Sequence, residues 1–288
     1  KVVIDRISNF YKTEYSNVGR SVHSLAVKAT NRFEATRDLV KKYMNAAHRE
    51  EIIFTKGATE SINLVASIYG KKHINKGDEI LITELEHHSN YVPWDFIRSE
   101  KRAVIKFAPI NENGDVEIDE IKKLISNKTK IIAITHISNV TGAVLPIKQI
   151  VDLAKEKNIP VLIDGTQGAP HAHIDMQEIG CDFYVVSCHK MYGPNGLGVL
   201  YAKKKWLDDL PPYQGGGGMI NEVKKDYVTF ADSPTKFEPG TMQTAEVVSF
   251  AESINFIEKL GIKNIASHEN EVLEYGLEKL RKNNSINI

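Results

Sequence analysis

The feature that most constrains this chain of 288 residues is the regular alternation of short apolar runs with helical patterns. The apolar runs, each of which predicts a strand, cover residues 51–55, 79–83, 103–108, 130–135, 161–164, 183–187 and 197–201. Helical patterns lie between them at residues 58–69, 91–99, 119–126 and 147–158. This alternation predicts an α/β fold in which a mainly parallel sheet is covered by helices on both faces. Because ligands of such sheets bind beyond the carboxyl ends of the strands, the residues after each strand are the candidates for function.

The composition is that of a globular protein, and the charge balance excludes several classes of partner. Hydrophobic residues make up 42% and charged residues 26% of the chain, and 37 basic residues balance 37 acidic ones. A neutral chain without a basic patch or a long apolar run is not expected to bind nucleic acid or a membrane. The two cysteines, Cys181 and Cys188, are too close on one strand to pair readily. Free cysteines favour a reducing compartment, so we expect a cytoplasmic protein.

A lysine follows one of the apolar runs. In the stretch YVVSCHKMYGPNGLGVLYAKK, Lys190 comes after the predicted strand 183–187, at the mouth of a buried sheet. A buried lysine loses hydration, which favours the neutral amine that a covalent bond to an aldehyde requires. Asp164 ends the preceding run, VLID, and its separation from Lys190 fits one crossover between neighbouring strands. An aspartate at the tip of a strand is commonly a cap or a metal ligand, so Asp164 alone does not decide the chemistry.

Three further strand ends carry polar side chains that have more than one interpretation. In TKGATESINLV, Ala58 and Thr59 open a helix that either binds a phosphate at its start or is merely capped by Thr59. In ELEHHSNYVPW, His87 is a metal ligand, a helix cap or an aromatic plate beside a flat ligand. In HISNVTG, Asn139 is a polar contact. The HxH pair at residues 171–173 lacks a third ligand at suitable spacing, so we expect no metal site.

One cofactor uses this whole set of side chains, namely pyridoxal 5'-phosphate (PLP). Its aldehyde needs a lysine amine, which Lys190 supplies, and its ring nitrogen needs a carboxylate, which Asp164 supplies. Its phosphate needs a helix start with hydroxyls, as at Thr59 with Ser187. Its ring needs a flat neighbour, such as His87. Each signal is weak by itself, but PLP chemistry explains them together.

With these residues the sequence resembles the class V aminotransferase group of PLP enzymes, which have fold type I. Within that group it is most similar to cysteine desulfurases of the Suf type and to the related selenocysteine lyases. The resemblance rests on KGATESINLVA, ELEHHSNYVPW, THISNVTG, VLIDGTQGAPH, CDFYVVSCHKMYGPNGLGVLY, PPYQGGGGMI and KFEPGTMQT, which occur in the family's order across nearly the whole chain. It implies a PLP-binding domain over residues 1–255 and the start of a smaller C-terminal domain over residues 256–288.

The resemblance also implies a role for each matching position. Lys190 would bind the cofactor covalently and move protons at the substrate Cα, and Asp164 would pair with the ring nitrogen. Gln167 would contact the ring hydroxyl, and His87 would stack on the ring and act as an acid or base. The other implied contacts are Ala58, Thr59, Ser187 and His189 for the phosphate, Asn139 for the ring oxygen or the substrate carboxylate, and Thr241 for the phosphate of the other protomer in a homodimer.

By this resemblance the protein would be a cysteine desulfurase that converts L-cysteine into L-alanine. The sulfur would pass as a persulfide to an acceptor, such as a Suf-type protein, and would supply iron–sulfur cluster assembly. The alternative enzyme is a selenocysteine lyase or another class V activity. The alternative from another class is a truncated PLP-binding protein without catalysis.

The sequence departs from the family pattern in two respects. Gly19 stands where the family usually has a histidine, in NVGRSVHSL. The family's nucleophilic cysteine and a substrate-binding arginine would lie beyond the end of the chain, so we expect a fragment, which also lacks the family's first strand. Neither Cys181 nor Cys188 is expected to replace that nucleophile. Such a fragment is expected to expose apolar surface on helices over residues 246–260 and 265–280.

Overall fold

A central sheet organises the residues that the structure, a computed structural model, describes, which are 1–19, 23–283 and 285. Its strands are β1 Ile52–Thr55, β2 Glu79–Thr83, β3 Val104–Ala108, β4 Thr129–Thr135, β5 Val161–Asp164, β6 Phe183–Ser187 and β7 Gly198–Ala202. Their order across the sheet is β1-β7-β6-β5-β4-β2-β3. Strand β7 runs antiparallel to β1 and β6, and the other neighbouring pairs are parallel. The predicted, mainly parallel sheet is therefore confirmed, with every strand within one residue of its expected bounds.

Helices cover both faces of the sheet, because alternate residues of each strand point to opposite sides. The helices are α1 Val2–Thr13, α2 Ser24–Tyr43, α3 Ala58–His73, α4 Val92–Lys101, α5 Ile118–Leu124, α6 Ile147–Glu156, α7 Gly168–His171, α8 Met176–Ile179, α9 Lys204–Asp209, α10 Thr244–Leu260 and α11 Ile262–Arg281. On one face, Ile53 and Ile80 pack with buried residues of α3 and α4. On the other, Phe54 and Leu81 pack with buried residues of α2, α6 and α10. Each such buried side chain contributes roughly 1.5–3 kcal/mol to folding.

Two parts of the chain lie away from this sheet and expose apolar side chains. Strands β8 Ile220–Val223 and β9 Val228–Phe230 form an antiparallel hairpin whose residues are all exposed. Helix α11 exposes Val272 and Tyr275, among others. The expected apolar surface on residues 265–280 is thus present.

Helix α10 packs against α1 and α2 and continues without a break through residue 255. Near its end, Phe256 and Leu260 are exposed, which agrees with the expectation for residues 246–260. The division into two domains at residue 255 stays a prediction. None of the helices within the described ranges combines the length and the apolar character that a membrane crossing requires.

The register of the sheet brings the carboxyl ends of several strands to one edge. Thr135 at the end of β4 lies opposite Asp164 at the end of β5, and Asp164 lies opposite Val185 in β6. Gly198 in β7 is the partner of both Thr55 and Ser187, the last residues of β1 and β6. The functional residues predicted after these strands therefore share one side of the molecule.

Candidate active site

A cavity of about 210 Å³ opens at the carboxyl ends of β4, β5 and β6. All but one of the predicted site residues line it: Ala58, Thr59, His87, Asn139, Asp164, Gln167, Ser187, His189 and Lys190. The structure adds Ser89, Thr135, Ile137 and Thr166 to the lining. These four were not among the predicted site residues, although each lies in one of the motifs quoted above. The hydroxyls of Ser89, Thr135 and Thr166 were the available signal, but Ser and Thr are too common near strand ends to be chosen by type alone, and the apolar Ile137 gave no such signal.

Asp164 presents a carboxylate oxygen to the cavity. The residue is only 5% exposed, and its Oδ1 accepts the backbone N–H of Thr166 at 3.0 Å. Within the described residues, no group donates to Oδ2 and no cation pairs with the carboxylate. The Thr166 hydroxyl is buried and also has no hydrogen-bond partner among these residues. Buried polar atoms normally have partners, so both groups are suited to meet a polar ligand.

The loop after β5 is held against the sheet by two close contacts. A Cβ atom at Gly165 would lie 2.0 Å from the Tyr184 ring, and one at Gly168 would lie 2.1 Å from Nδ1 of His136. Tyr184 and His136 are joined by a hydrogen bond of 2.9 Å between Oη and Nδ1. Burial lowers the pKa of His136 to about 4, so its ring is neutral near pH 7. Because only glycine fits at both positions, the backbone on either side of Gln167 is fixed.

The other end of the cavity has the features of an anion site. Ala58 begins helix α3, and its N–H donates to Oγ of Ser187 at 3.0 Å. Thr59 lies inside the helix, and Gly57 occupies the N-cap position, so the interpretation of Thr59 as a mere cap is wrong. The Thr59 hydroxyl is instead bonded to the Ser89 hydroxyl at 2.8 Å. Helix start, dipole and hydroxyls together favour a negatively charged ligand at this end.

His87 is both a cap and a wall of the cavity. It precedes the short 3₁₀ turn His88–Asn90, and its Nδ1 accepts the N–H of Ser89 at 3.1 Å. Because Nδ1 is an acceptor, the proton of the neutral ring is on Nε2. The capping interpretation is therefore correct, and it is compatible with a ring that faces a ligand, since His87 also lines the cavity.

Lys190 reaches the cavity from the 3₁₀ turn Cys188–Met191, which directly follows β6. The side chain is half-buried rather than fully buried. The turn, which begins one residue after the strand, carries the lysine away from the sheet interior and towards the cavity. Lys190 and Asp164 thus follow adjacent strands, as their spacing in the sequence predicted.

The family model of the class-V aminotransferases matches the chain over residues 1–288. The chain belongs to the class-V aminotransferase family. Members of this family are PLP-dependent. The cavity described above lies beyond the carboxyl ends of the strands, where sheets of this kind bind their ligands.

Several class-V relatives are named cysteine desulfurases. A probable cysteine desulfurase of Staphylococcus epidermidis is 46% identical over 96% of this chain and 67% of its own length. One of Mycolicibacterium paratuberculosis is 44% identical over 97% of this chain and 41% of its own length. The crystal structure of the Escherichia coli cysteine desulfurase CsdA, 34% identical, superposes with a TM-score of 0.92 over 98% of this chain and 71% of that chain. The predicted fold class, fold type I, is thereby confirmed.

The chain is short compared with some of these proteins. It spans between 41% and 46% of the length of its mycobacterial and cyanobacterial relatives. Statements about the activity and the partners of the whole protein are therefore made below as proposals.

Neither cysteine of this class-V chain resembles a nucleophile. Cys181 and Cys188 lie at the two ends of β6 as free thiols, and both are completely buried. Burial raises the pKa of each thiol well above its usual value. At neutral pH neither side chain is a thiolate, which is the behaviour of cysteines that pack in a core.

Three features that the sequence singled out lie outside the cavity. Thr241 lines a separate groove, and its contact with a partner's phosphate stays a prediction. The N–H of Gly19 donates to the Thr30 hydroxyl at 3.0 Å, and the next residues of its motif, 20–22, lie outside the described residues. The histidine of the HxH pair at position 171 bonds to Glu269 at 2.8 Å, and no group of three metal-binding side chains occurs within the described ranges.

Proposed function

We propose that this chain is the PLP-binding part of a cysteine desulfurase. The observation that carries the proposal is the convergence of Lys190, Asp164 and an anion site at Ala58 and Thr59 on one cavity. The residues fit PLP, because Asp164 keeps one oxygen without a donor while the opposite end offers a helix start with hydroxyls. The names of relatives that are 41–46% identical support desulfurase chemistry over other class-V activities.

In this proposal PLP, when bound, draws electrons away from the Cα atom of an amino acid. Lys190 holds the cofactor and then accepts the Cα proton. Asp164 holds a proton on the ring nitrogen, and Gln167 orients the ring through its hydroxyl. His87 covers one face of the ring and offers Nε2 as a proton donor. The Ala58 end of the cavity anchors the phosphate.

The substrate we propose is L-cysteine, and the products are L-alanine and a persulfide. A thiolate attacks the cysteine sulfur, so that a sulfur–sulfur bond forms while the bond from sulfur to Cβ breaks. A proton then completes the methyl group of alanine, and no external oxidant or reductant is needed. We further propose a homodimer that delivers sulfur to a Suf-type acceptor for iron–sulfur cluster assembly in the cytoplasm, where the free Cys181 and Cys188 would stay reduced.

A second candidate is a PLP-binding chain without turnover of its own. It is favoured by one observation, the burial of both Cys181 and Cys188, which leaves these 288 residues without a reactive thiol. The two candidates share the cofactor site and differ only in the sulfur transfer.

The test of the cofactor site is to incubate the purified chain with PLP, reduce with borohydride and locate the pyridoxyl group by peptide mass spectrometry. We expect it on Lys190, and we expect Lys190→Ala to abolish the covalent link. Lys236→Ala is the matched control, because burial lowers the pKa of Lys236, whose Nζ donates to the Leu207 carbonyl at 2.6 Å outside the cavity. A pyridoxyl group on any other lysine would overturn the proposal.

A further inference from the structure

A buried ion pair between Arg37 and Glu238 lies behind the anion end of the cavity and has no role in the chemistry proposed so far. Arg37 is 1% exposed and donates from Nη1 and Nη2 to the two carboxylate oxygens of Glu238, at 2.8 Å each. Its guanidinium also lies 5.3 and 4.7 Å from the ring centroids of Phe33 and Phe54. Burying two charges costs free energy unless the geometry is excellent, so this planar, bidentate pair fixes the positions of both partners.

The pair joins helix α2 to strand β1. Arg37 Nη1 donates to the carbonyl of Ile52 at 2.7 Å, and Glu238 Oε1 accepts the N–H of Phe54 at 2.7 Å. Strand β1 ends one residue later and leads through Gly57 into the start of α3. The backbone that presents the anion site is therefore bonded directly to this ion pair.

The same carboxylate begins the segment that carries Thr241. Glu238 is followed by Pro239 and by Gly240, whose φ of 84° few other residues adopt. Residues 54–60 and 237–243 face each other across a groove of about 120 Å³ that Glu238 and Thr241 both line. One side chain thus sets the position of the start of α3 and, three residues on, that of Thr241.

We propose that Arg37 and Glu238 are positioning residues for the phosphate of PLP. They hold the start of α3 and the Thr241 segment at a fixed separation. In this proposal the start of α3 binds the phosphate of the same protomer, and the Thr241 segment binds the phosphate of the partner. This inference rests on the proposed function. Hydrogen bonds to a phosphate weaken steeply with distance and angle, so a small shift of either segment affects the phosphate and leaves the ring contacts at Asp164 and Lys190 intact.

The experiment compares the dissociation constants of PLP and of pyridoxal, which lacks the phosphate, for the dimeric chain. The variants are Glu238→Gln, which removes the negative charge at nearly constant size, and Arg37→Lys, which keeps the positive charge but cannot donate from two planar nitrogens to the two carboxylate oxygens. We expect the dissociation constant of PLP to rise roughly tenfold or more, by loss of well-placed charge-assisted hydrogen bonds, and that of pyridoxal to stay unchanged.

The matched control is Glu79→Gln, at the opposite end of the sheet. Glu79 is 9% exposed and pairs with Lys106 at 2.9 Å, so this variant also removes a buried carboxylate from an ion pair. We expect it to lower the thermal midpoint without changing the ratio of the two dissociation constants. That ratio separates a positioning role from a general loss of stability.

Each outcome decides the matter. If the wild-type chain binds neither compound, the proposed function fails. If it binds PLP, and the ratio of the constants is the same in Glu238→Gln and Arg37→Lys as in the wild type, the positioning role alone fails. If both variants are unfolded, the pair is needed for folding and the positioning role is likewise rejected.

Discussion

The two ends of the central sheet hold their carboxylates in different ways, and strand β2 has one at each end. At its start, Glu79 accepts a hydrogen bond from Ser126 at 2.6 Å and pairs with Lys106 at 2.9 Å. Beyond its end, Glu86 accepts the N–H of Thr135 at 3.0 Å but forms no ion pair with any residue of the described ranges. The carboxylate at the start of β2 is therefore paired with a cation, whereas the one beyond its end has only uncharged hydrogen-bond donors within the described residues.

The neighbouring strands repeat the contrast. Asp182, which precedes β6, accepts from the indole N–H of Trp206 at 2.8 Å and pairs with Lys205 at 2.9 Å. Asp164, which ends β5, has only the Thr166 N–H as a donor among the described residues. A carboxylate with a full set of partners stabilises the fold, whereas one with a free oxygen is available to a ligand. The difference supports the proposal that the carboxyl end of the sheet is the functional end.

The largest effect that could contradict this difference between the two ends of the sheet concerns the thiols at the two ends of β6. Because Cys181 and Cys188 are both buried and protonated, we expect the 288-residue chain loaded with PLP to release no more alanine from L-cysteine than free PLP does. Cys188→Ser should behave as the wild type does. The measurement is alanine release in the presence of a reductant. Rapid release of alanine that disappears in Cys188→Ser would show that Cys188, at the end of β6 nearer the cavity, is a nucleophile.

Substitution of the two aspartates, Asp164 and Asp182, should give the next largest effect. Asp164→Ala should slow the exchange of the amino-acid Cα hydrogen with deuterium by about 100-fold or more, because a charge-assisted contact and the electron sink are lost. Asp182→Ala should leave exchange in the folded protein unchanged and lower the free energy of unfolding by about 2–4 kcal/mol, since it leaves buried donors without an acceptor. Exchange is followed by NMR and stability by urea unfolding. Equal exchange rates in wild type and Asp164→Ala would contradict the assignment.

The two glutamates of β2 should titrate with opposite effects on stability. Burial raises the pKa of Glu86 to about 7, so the folded state binds more protons than the unfolded state between about pH 4.5 and pH 7. The free energy of unfolding should then fall by about 3 kcal/mol as the pH rises from about 4.5 to 7, and it should level off above pH 7. Burial also acts on Glu79, but hydrogen bonds from Ser126, Lys106 and Thr129 outweigh it and lower the pKa, so its contribution is lost as the pH falls below 4.5.

Glu86→Gln tests this contrast, because it should remove the loss of stability between about pH 4.5 and pH 7. Glu79→Gln should remove the loss at acid pH and leave the slope above pH 5 in place. Urea unfolding across this range measures both slopes. A Glu86→Gln variant with the slope of the wild type would assign the titration to another group.

The smallest effect concerns Thr241, which we propose contacts the phosphate bound by the partner protomer. Thr241→Ala should raise the dissociation constant of PLP by about tenfold, the value of one hydrogen bond to a charged group. Dilution to the monomer should weaken PLP binding as well. Thr229→Ala, in the exposed hairpin, is the control that should change neither. If the monomer retains PLP as tightly as the dimer does, Thr241 serves no second phosphate.

Local patterns in the sequence predicted much of this molecule. Short continuous apolar runs located β1 to β7 within one residue, and the residues after the strands gave nine of the thirteen residues that line the cavity. Both signals are carried by residues close together in the chain. Helix α2 and the hairpin β8–β9 were not predicted. The hairpin residues are exposed on both sides, so no burial imposes the regular alternation by which a strand is recognised.

The sequence by itself thus determined the fold class and the chemical types at the cavity, from Lys190 to Asp164. Only the tertiary structure decided how each of these groups is partnered. The ion pair of Arg37 with Glu238 joins residues 201 positions apart, and the free oxygen of Asp164 depends on which donors the packed loops bring near. The physical reason is that burial and ion pairing depend on distances in space, which a local pattern does not contain.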